Sequence, residues 1–470
     1  MVADWTVYST VAVQLSHATV ATDLPSWVKA VGARSAPKSQ RLFTVKAVGD
    51  GTTNSTSAIQ QAIDDCAKAG GGIVTLTPGD YVTGALFLKS DVHLRIDKGV
   101  TLLGSQEDSD YPSIPTRVAG IEMKWPAALI NVNDAKNVKI SGDGIIDGRG
   151  EKWWVKYWAL RREYEQRGLR WASDYDAERV RLMVIWKSSD VTIENLSLKR
   201  SGFWTVQVVY SDHVTVDGIA ITDNKGPSTD GVDIDSSSYV LVQHCDIDNN
   251  DDDICLKAGR DYDGLRVNRP TEYVVIRDNV TRRGGGMVSF GSETSGGIRH
   301  VVAYHNTGIG TNEGIRFKSA KTRGGFVEDI LIRDIKMEQV PLPFTFTLNW
   351  NPSYSYATIP KDEKNIPPHW TVMNTPVTPA ERGFCEFRNI TIEDVEIVNA
   401  RRIFSASGLA QKPIVNVTFA NINAQGGDAG SIEYARDWKM RDVKLQTRDG
   451  AALKISNSEK VEAPVVMKAP

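Results

Sequence analysis

The sequence predicts an all-β, single-domain parallel β-helix, on three observations. A phrase of alternating apolar and polar residues recurs along most of the chain: NVKISG at 137, DVTIEN at 190, HVTVDG at 213, YVLVQH at 239, YVVIRD at 273, HVVAYH at 300, DILIRD at 329, NITIED at 389 and NVTFAN at 416. From 190 to 329 the starts lie 23, 26, 34, 27 and 29 residues apart, too short for a propeller blade and without the paired helices of ankyrin or tetratricopeptide units. Each phrase has the period of two of a strand with one buried face, and Asn, Asp and Gly punctuate the gaps. A length of 470 residues would otherwise suggest two or three domains, but a solenoid grows without enlarging one core.

Along the chain, residues 1–42 read as an N-terminal extension and 43–470 as the helix domain. The opening stretch has no Lys or Arg before Lys29 and so lacks the charged start of a signal peptide. A mature chain whose export signal has been replaced by an initiator fits it. STSAIQQAIDDCAKAGGG predicts a helix begun by a Ser or Thr cap, with Ile59, Ile63 and Cys66 on one face and a glycine stop. Such a helix would plug the open end of the solenoid, whose edges must be covered to prevent pairing with other chains. Two stretches, about 106–180 and 341–385, interrupt the coils and read as the walls of a groove. Past about residue 430 the repeat fades, and the remainder is expected to close the far end.

A net charge of −3 gives no electrostatic case for nucleic acid or an anionic membrane, and no apolar run of about 18 residues is present to span a bilayer. The four cysteines show no CxxC spacing and read as buried free thiols.

Second strands in the coils align on the apolar pairs Val206/Val208, Val232/Ile234, Ile254/Leu256, Val288/Phe290 and Ile315/Phe317. With those inward, alternation sends Gln207, Asp233, Asp235, Cys255, Lys257, Ser289, Arg316 and Lys318 outward. Two residues before each pair the column reads Trp204, Asp230, Asp252, Gly286, Glu313. Asp230 and Asp252 then sit on adjacent coils, about 5 Å apart, with Asp251 beside them. Carboxylates so placed raise one another's pKa and give the mixed protonated and ionised set that acid/base hydrolysis needs. Arg316 and Lys318 stand ready for an anionic ligand group. Asp253 reads as a solvated turn residue.

STDGVDIDSS, NNDDDICLKAG and GIRFKS, in this order on this repeat, resemble the motifs of the polygalacturonases, family 28 of the glycoside hydrolases. The resemblance implies a right-handed parallel β-helix that cleaves α-linked galacturonate with inversion and without metal or other cofactor. It implies Asp251 as general acid, Asp230 and Asp252 as the pair that activates water, and Arg316 and Lys318 as substrate contacts. Arg266, Arg269 and Trp350, on segments flanking the motifs, are further candidate contacts, and the basic cluster Arg161, Arg162, Arg167 and Arg170 is either a uronate contact or an ordinary surface helix face. The sequence departs from the family at its Gly-His-Gly motif, where RRGGGMVSFGSET puts Gly286 at the histidine position; His300 and His305 are weak substitutes. With the wall insertions and FGSETSGGIRH, this departure resembles the exo-acting bacterial branch, including galacturonidases acting on rhamnogalacturonan fragments. A secreted or periplasmic monomer acting on pectic polysaccharide or oligosaccharide is expected. A calcium-dependent pectate lyase and a non-catalytic pectin-binding β-helix remain as alternatives.

Overall fold

The computed structural model describes residues 24–469; the first 23 residues, including most of the stretch read for a leader, lie outside them. Thirty-three strands join in one parallel network, with one separate antiparallel hairpin, Ser113–Val118 with Ile121–Pro126. Strand makes up 49% and helix 15%, and the architecture is a right-handed parallel β-helix, the hand that parallel crossovers of L-residues adopt.

The punctuation has a geometric cause. The first residue of each phrase sits in the left-handed region: φ is between +53° and +55° at Asn137, Asp190, His213, Tyr239, Tyr273, His300, Asp329, Asn389 and Asn416. Asn, Asp and His tolerate this conformation better than other non-glycine residues, which is why they mark the corners. The phrase strands then stack in register, Val191 on Val214, Val240, Val274 and Val301, all buried. Corner side chains also stack: His213, Tyr239, Tyr273 and His300 form a ladder with ring centroids 4.7 to 4.9 Å apart.

The second strand set carries the predicted inward pairs. Val206 pairs with Val232, Val232 with Ile254, Ile254 with Val288, and Val288 with Ile315. Phe290, Phe317 and Phe346 lie face to face at 4.4 and 4.6 Å, each contact worth about 0.5–1.5 kcal/mol beyond its buried area. One core runs the length of the solenoid, from Val45 to Leu453.

The covering helix is Thr56–Lys68, with Ile59, Ile63 and Cys66 fully buried on the first coils. Ser55 makes no side-chain cap; Asn54 Oδ1 accepts the Thr56 N–H instead, at 3.0 Å. Residues 24–42 run as a strap across the coils, with Trp27, Val28 and Val31 packed against Val275, Val302 and Tyr304, and Arg34 bonded to Asp190. All four cysteines are free and buried. No described helix is long and apolar enough to cross a membrane.

Three sequence boundaries need correction. The excursion expected at 106–180 is two: Ile130–Asn133, Lys136–Ser141 and Ile145–Asp147 make a complete coil between them, because Val132, Val138, Ile140 and Ile146 face the core. The excursion at 341–385 begins after the ladder strand Leu342–Thr347. The coils also continue past 430, through Ala435–Thr447 to Val465–Lys468. There DWKMRDVKLQT keeps the alternation, with Trp438, Val443 and Leu445 buried, but its charged outer residues mask the phrase.

Candidate active site

The turn Asn250–Asp253 places its acids by stacking on the neighbouring turns. The Gly231 N–H donates to the Asp252 carbonyl at 2.9 Å, and the Asp253 N–H donates to the Gly286 carbonyl at 2.8 Å. Trp204, Asp230, Asp252 and Gly286 therefore form the predicted column. A carboxylate oxygen of Asp230, one of Asp252 and the Cys255 sulfur all lie within 4.8 Å of one another, against an expected coil spacing of about 5 Å. Asp251 is half-buried beside them, and its Oδ1 accepts the Asp252 N–H at 3.0 Å.

The three carboxylates have unlike surroundings. Asp252 is buried, which alone would raise its pKa, but Lys318 Nζ at 2.6 Å and Arg316 Nη1 at 3.0 Å, with Lys257 behind, hold it well below the carboxylate range. The Ser289 hydroxyl donates to the same carboxylate at 2.7 Å. Asp230 goes the other way: burial and the charges of Asp233 and Asp251 push it well up, against Lys257 at 3.6 Å. Asp251 is raised by burial and by the Asp252 charge, against Lys318 and Arg316. The arrangement holds a proton on one acid while its neighbour stays ionised, and the group titrates as a set.

The walls bring the candidate contacts Trp350 and Arg170 to the cleft, together with Asp174 and Tyr354, which no sequence motif marks. The cleft above the carboxylates is lined from the wall segments by Arg170, Asp174, Trp350 and Tyr354, and from the coils by Trp204, Ser228, Lys257, Ser292, Glu293 and Lys318. Arg170 pairs with Asp174 at 2.9 Å and lies over the Tyr354 ring. Polar residues of the outward column anchor these walls: Asp235 binds Arg117 of the hairpin at 3.0 Å, and Gln207 binds Arg181. The wall aromatics Trp125, Trp171, Trp370, Phe203 and Tyr354 pack on one another as a second core. Trp350 lies at its edge, with Lys318 4.7 Å from its ring centroid.

Other candidates stand elsewhere. Arg266 does not line the cleft; it pairs with Glu122 and with Asp263, 2.5 and 2.7 Å away, on the outside of the short helix Asp261–Val267. Arg269 also lies off the cleft, over the Tyr210 ring. Arg161 and Arg167 make i, i+4 pairs with Glu165 and Glu163, the bland surface arrangement. Asp253 is not solvated: it is fully buried, neither oxygen has a hydrogen-bond partner among the described residues, and burial with the charges of Asp252 and Asp248 raises it well above the usual range. It fills the space left at Gly284, where a Cβ would stand 2.6 Å from its Oδ1.

Glycines stand where the sequence departs from Gly-His-Gly. A Cβ at Gly286 would run into the Ser289 hydroxyl, whereas one at Gly285 would stand 3.2 Å from Asp251 Oδ1. His300 belongs to the corner ladder and His305 lies between Asp278 and Asp334, so neither reaches the acids. The oxygen and sulfur cluster is also a poor calcium site: calcium seeks six to eight oxygens, and the Asp252 oxygens already face Arg316 and Lys318.

Comparison with known proteins finds relatives in sequence and in fold. The chain is 32% identical to a probable polygalacturonase of Vitis vinifera over 68% of its own length, spanning 64% of that relative. It is 27% identical to an exo-poly-alpha-D-galacturonosidase of Dickeya chrysanthemi, covering 88% of this chain and 75% of the relative. The fold matches that of a hyperthermoactive exopolygalacturonase from Thermotoga maritima with a TM-score of 0.72 at 23% identity, over 94% of this chain and 96% of that one. Residues 74–357, which hold every carboxylate and cation lining the cleft, match the family model for glycosyl hydrolases family 28, and to that family the chain belongs.

Proposed function

We propose that the protein hydrolyses α-linked galacturonate residues of pectic chains, from one end and with inversion. The observation that carries this reading is the meeting of Asp230 and Asp252, from adjacent coils, within 4.8 Å under the cations of a third strand. Asp251, with its raised pKa and partial exposure, donates a proton to the departing glycosidic oxygen. Asp252, held ionised, takes the proton of a water attacking the opposite face of the sugar, and Asp230 orients that water. Positive charge developing on the ring is met by the ionised carboxylate, so no covalent intermediate is needed.

End-on attack is supported by the walls. Arg170, Trp350 and Tyr354 line the cleft from the walls, and the Dickeya relative is named for exo action. The absent histidine beside Asp251 favours a second reading of the substrate, in which galacturonate is removed from rhamnogalacturonan fragments. A monomer acting outside the cytoplasm, where pectic chains are met, completes the proposal. The test is the product profile on defined oligogalacturonides and rhamnogalacturonan oligosaccharides. Release of monomer from one end supports the reading; mixed oligomers from internal cuts overturn exo action, and unsaturated products overturn hydrolysis.

A further inference from the structure

Resting on that reading, we infer that Lys257 is a positioning residue, holding Asp230 in place through a buried hub of three carboxylates. Its side chain is 5% exposed. Its Nζ lies 3.6 Å from Asp230, 3.5 Å from Asp233 and 3.4 Å from Glu293, and 4.7 Å from the Trp204 ring centroid. The ammonium donates a hydrogen bond to Glu293 and has Asp230 and Asp233 at ion-pair distance, so carboxylates surround it although the residue borders the cleft. Lys257 is the one cation within ion-pair distance of Asp230 among the described residues, whereas Asp252 has Arg316 and Lys318. Asp230 Oδ1 and both oxygens of Asp233 have no hydrogen-bond partner among the described residues, so charge alone fixes them.

The hub joins the acids to the walls. Glu293 follows the strand Gly286–Phe290 and accepts the Tyr354 hydroxyl at 3.4 Å, so Lys257 connects Asp230 to the segment that carries Trp350. The groups facing the ammonium are Asp230 from the turn before Val232–Asp235, Asp233 on that strand, Cys255 on its own strand, and Glu293 from the following loop. Asp252 and Lys318 lie beyond on the cleft side, and Arg181 stands behind Asp233. Lys257 alone of the described cations lies within ion-pair distance of Asp230; the buried Arg179, paired with Asp174, acts on it from farther away.

The test measures kcat, KM and the pH profile of kcat/KM for Lys257→Met and Lys257→Arg on a galacturonate oligomer, with Asp251→Asn as reference. Lys257→Met is expected to lower kcat by about 10²-fold with KM nearly unchanged. It also moves the acidic limb to higher pH, because Asp230 loses the charge that favours its ionised form. Lys257→Arg restores most of the rate. Should Lys257→Met not fold, Asp233→Asn/Lys257→Met removes the stranded charge and is read the same way. An unmoved acidic limb, a loss residing in KM, or a double variant that still does not fold overturns the inference. Full turnover in Asp251→Asn would instead overturn the functional reading beneath it.

Discussion

One ladder position, followed along the molecule, separates a working region from an inert one. Gln207, Asp233, Cys255, Ser289, Arg316, Thr345, Ser405, Ser431 and Lys454 are successive partners in register. The first four are fully buried although they point away from the core; Thr345, Ser405 and Ser431 are part-exposed and Lys454 is exposed. The strands are equivalent in geometry, so the difference comes from what lies above them. The walls cover the first half of the column and strip its polar groups of water, which strengthens every charge interaction there. The less covered half carries the small hydroxyls of Thr345, Ser405 and Ser431 and ends at the exposed Lys454.

Breaking the comparison at its centre gives the largest expected effect. Asp251→Asn should lower kcat by about 10²-fold or more with an unchanged melting temperature, while Ser405→Ala on the less covered half leaves kcat as it was. Steady-state kinetics with thermal melts decide this, and equal effects would show that cover does not matter. Next comes pH. Asp252 is held below the ordinary carboxylate range, so it stays ionised and functional as pH falls past that range; Asp251 is raised, so rate is lost as pH climbs through its elevated value. Lys318→Met should steepen the ascending limb of kcat/KM, which Asp230 sets, by bringing the protonation of Asp252 up toward it. A limb of unchanged slope would remove Lys318 as the cause.

Stability provides the third contrast. Asp253 has a raised folded-state pKa, so its stabilising contribution is full below the ordinary Asp value and is lost as pH rises through the folded one. Asp253→Asn should therefore stabilise the protein at pH 7, by about 1–3 kcal/mol, and much less near pH 4. Urea unfolding at both values checks this, and an equal gain at the two would contradict it. The smallest effect is expected off the cleft: Arg266→Ala breaks an exposed ion pair and should cost less than about 1 kcal/mol in melting measurements, with kcat/KM within about two-fold.

These contrasts show what the sequence could carry. The coils were legible because a corner in the left-handed region recurs with Asn, Asp or His, and the residues between alternate. Asp230 over Asp252 followed from counting along that alternation. Burial of the outward column was not legible, since it depends on where residues 106–128, 148–180 and 348–385 fold back, and loops carry no period. Lys257 appeared in the outward column, yet nothing local marked it as the centre of three carboxylates from two other segments. Arg266 and Arg269 were proposed from nearness in sequence to the acidic motif, but Arg266 pairs with Glu122 and Asp263 and Arg269 packs over the Tyr210 ring. Asp253 looked like any turn acid, because the cavity it fills is made by a missing side chain at Gly284, one coil away.

A buried, stacked set of acids performing single-displacement hydrolysis must invert the anomeric carbon. Proton NMR of the sugar first released from an α-linked galacturonate oligomer, recorded before mutarotation, tests it most directly. Single displacement releases the β-anomer first; an initial α-anomer, or an unsaturated end group, would rule it out.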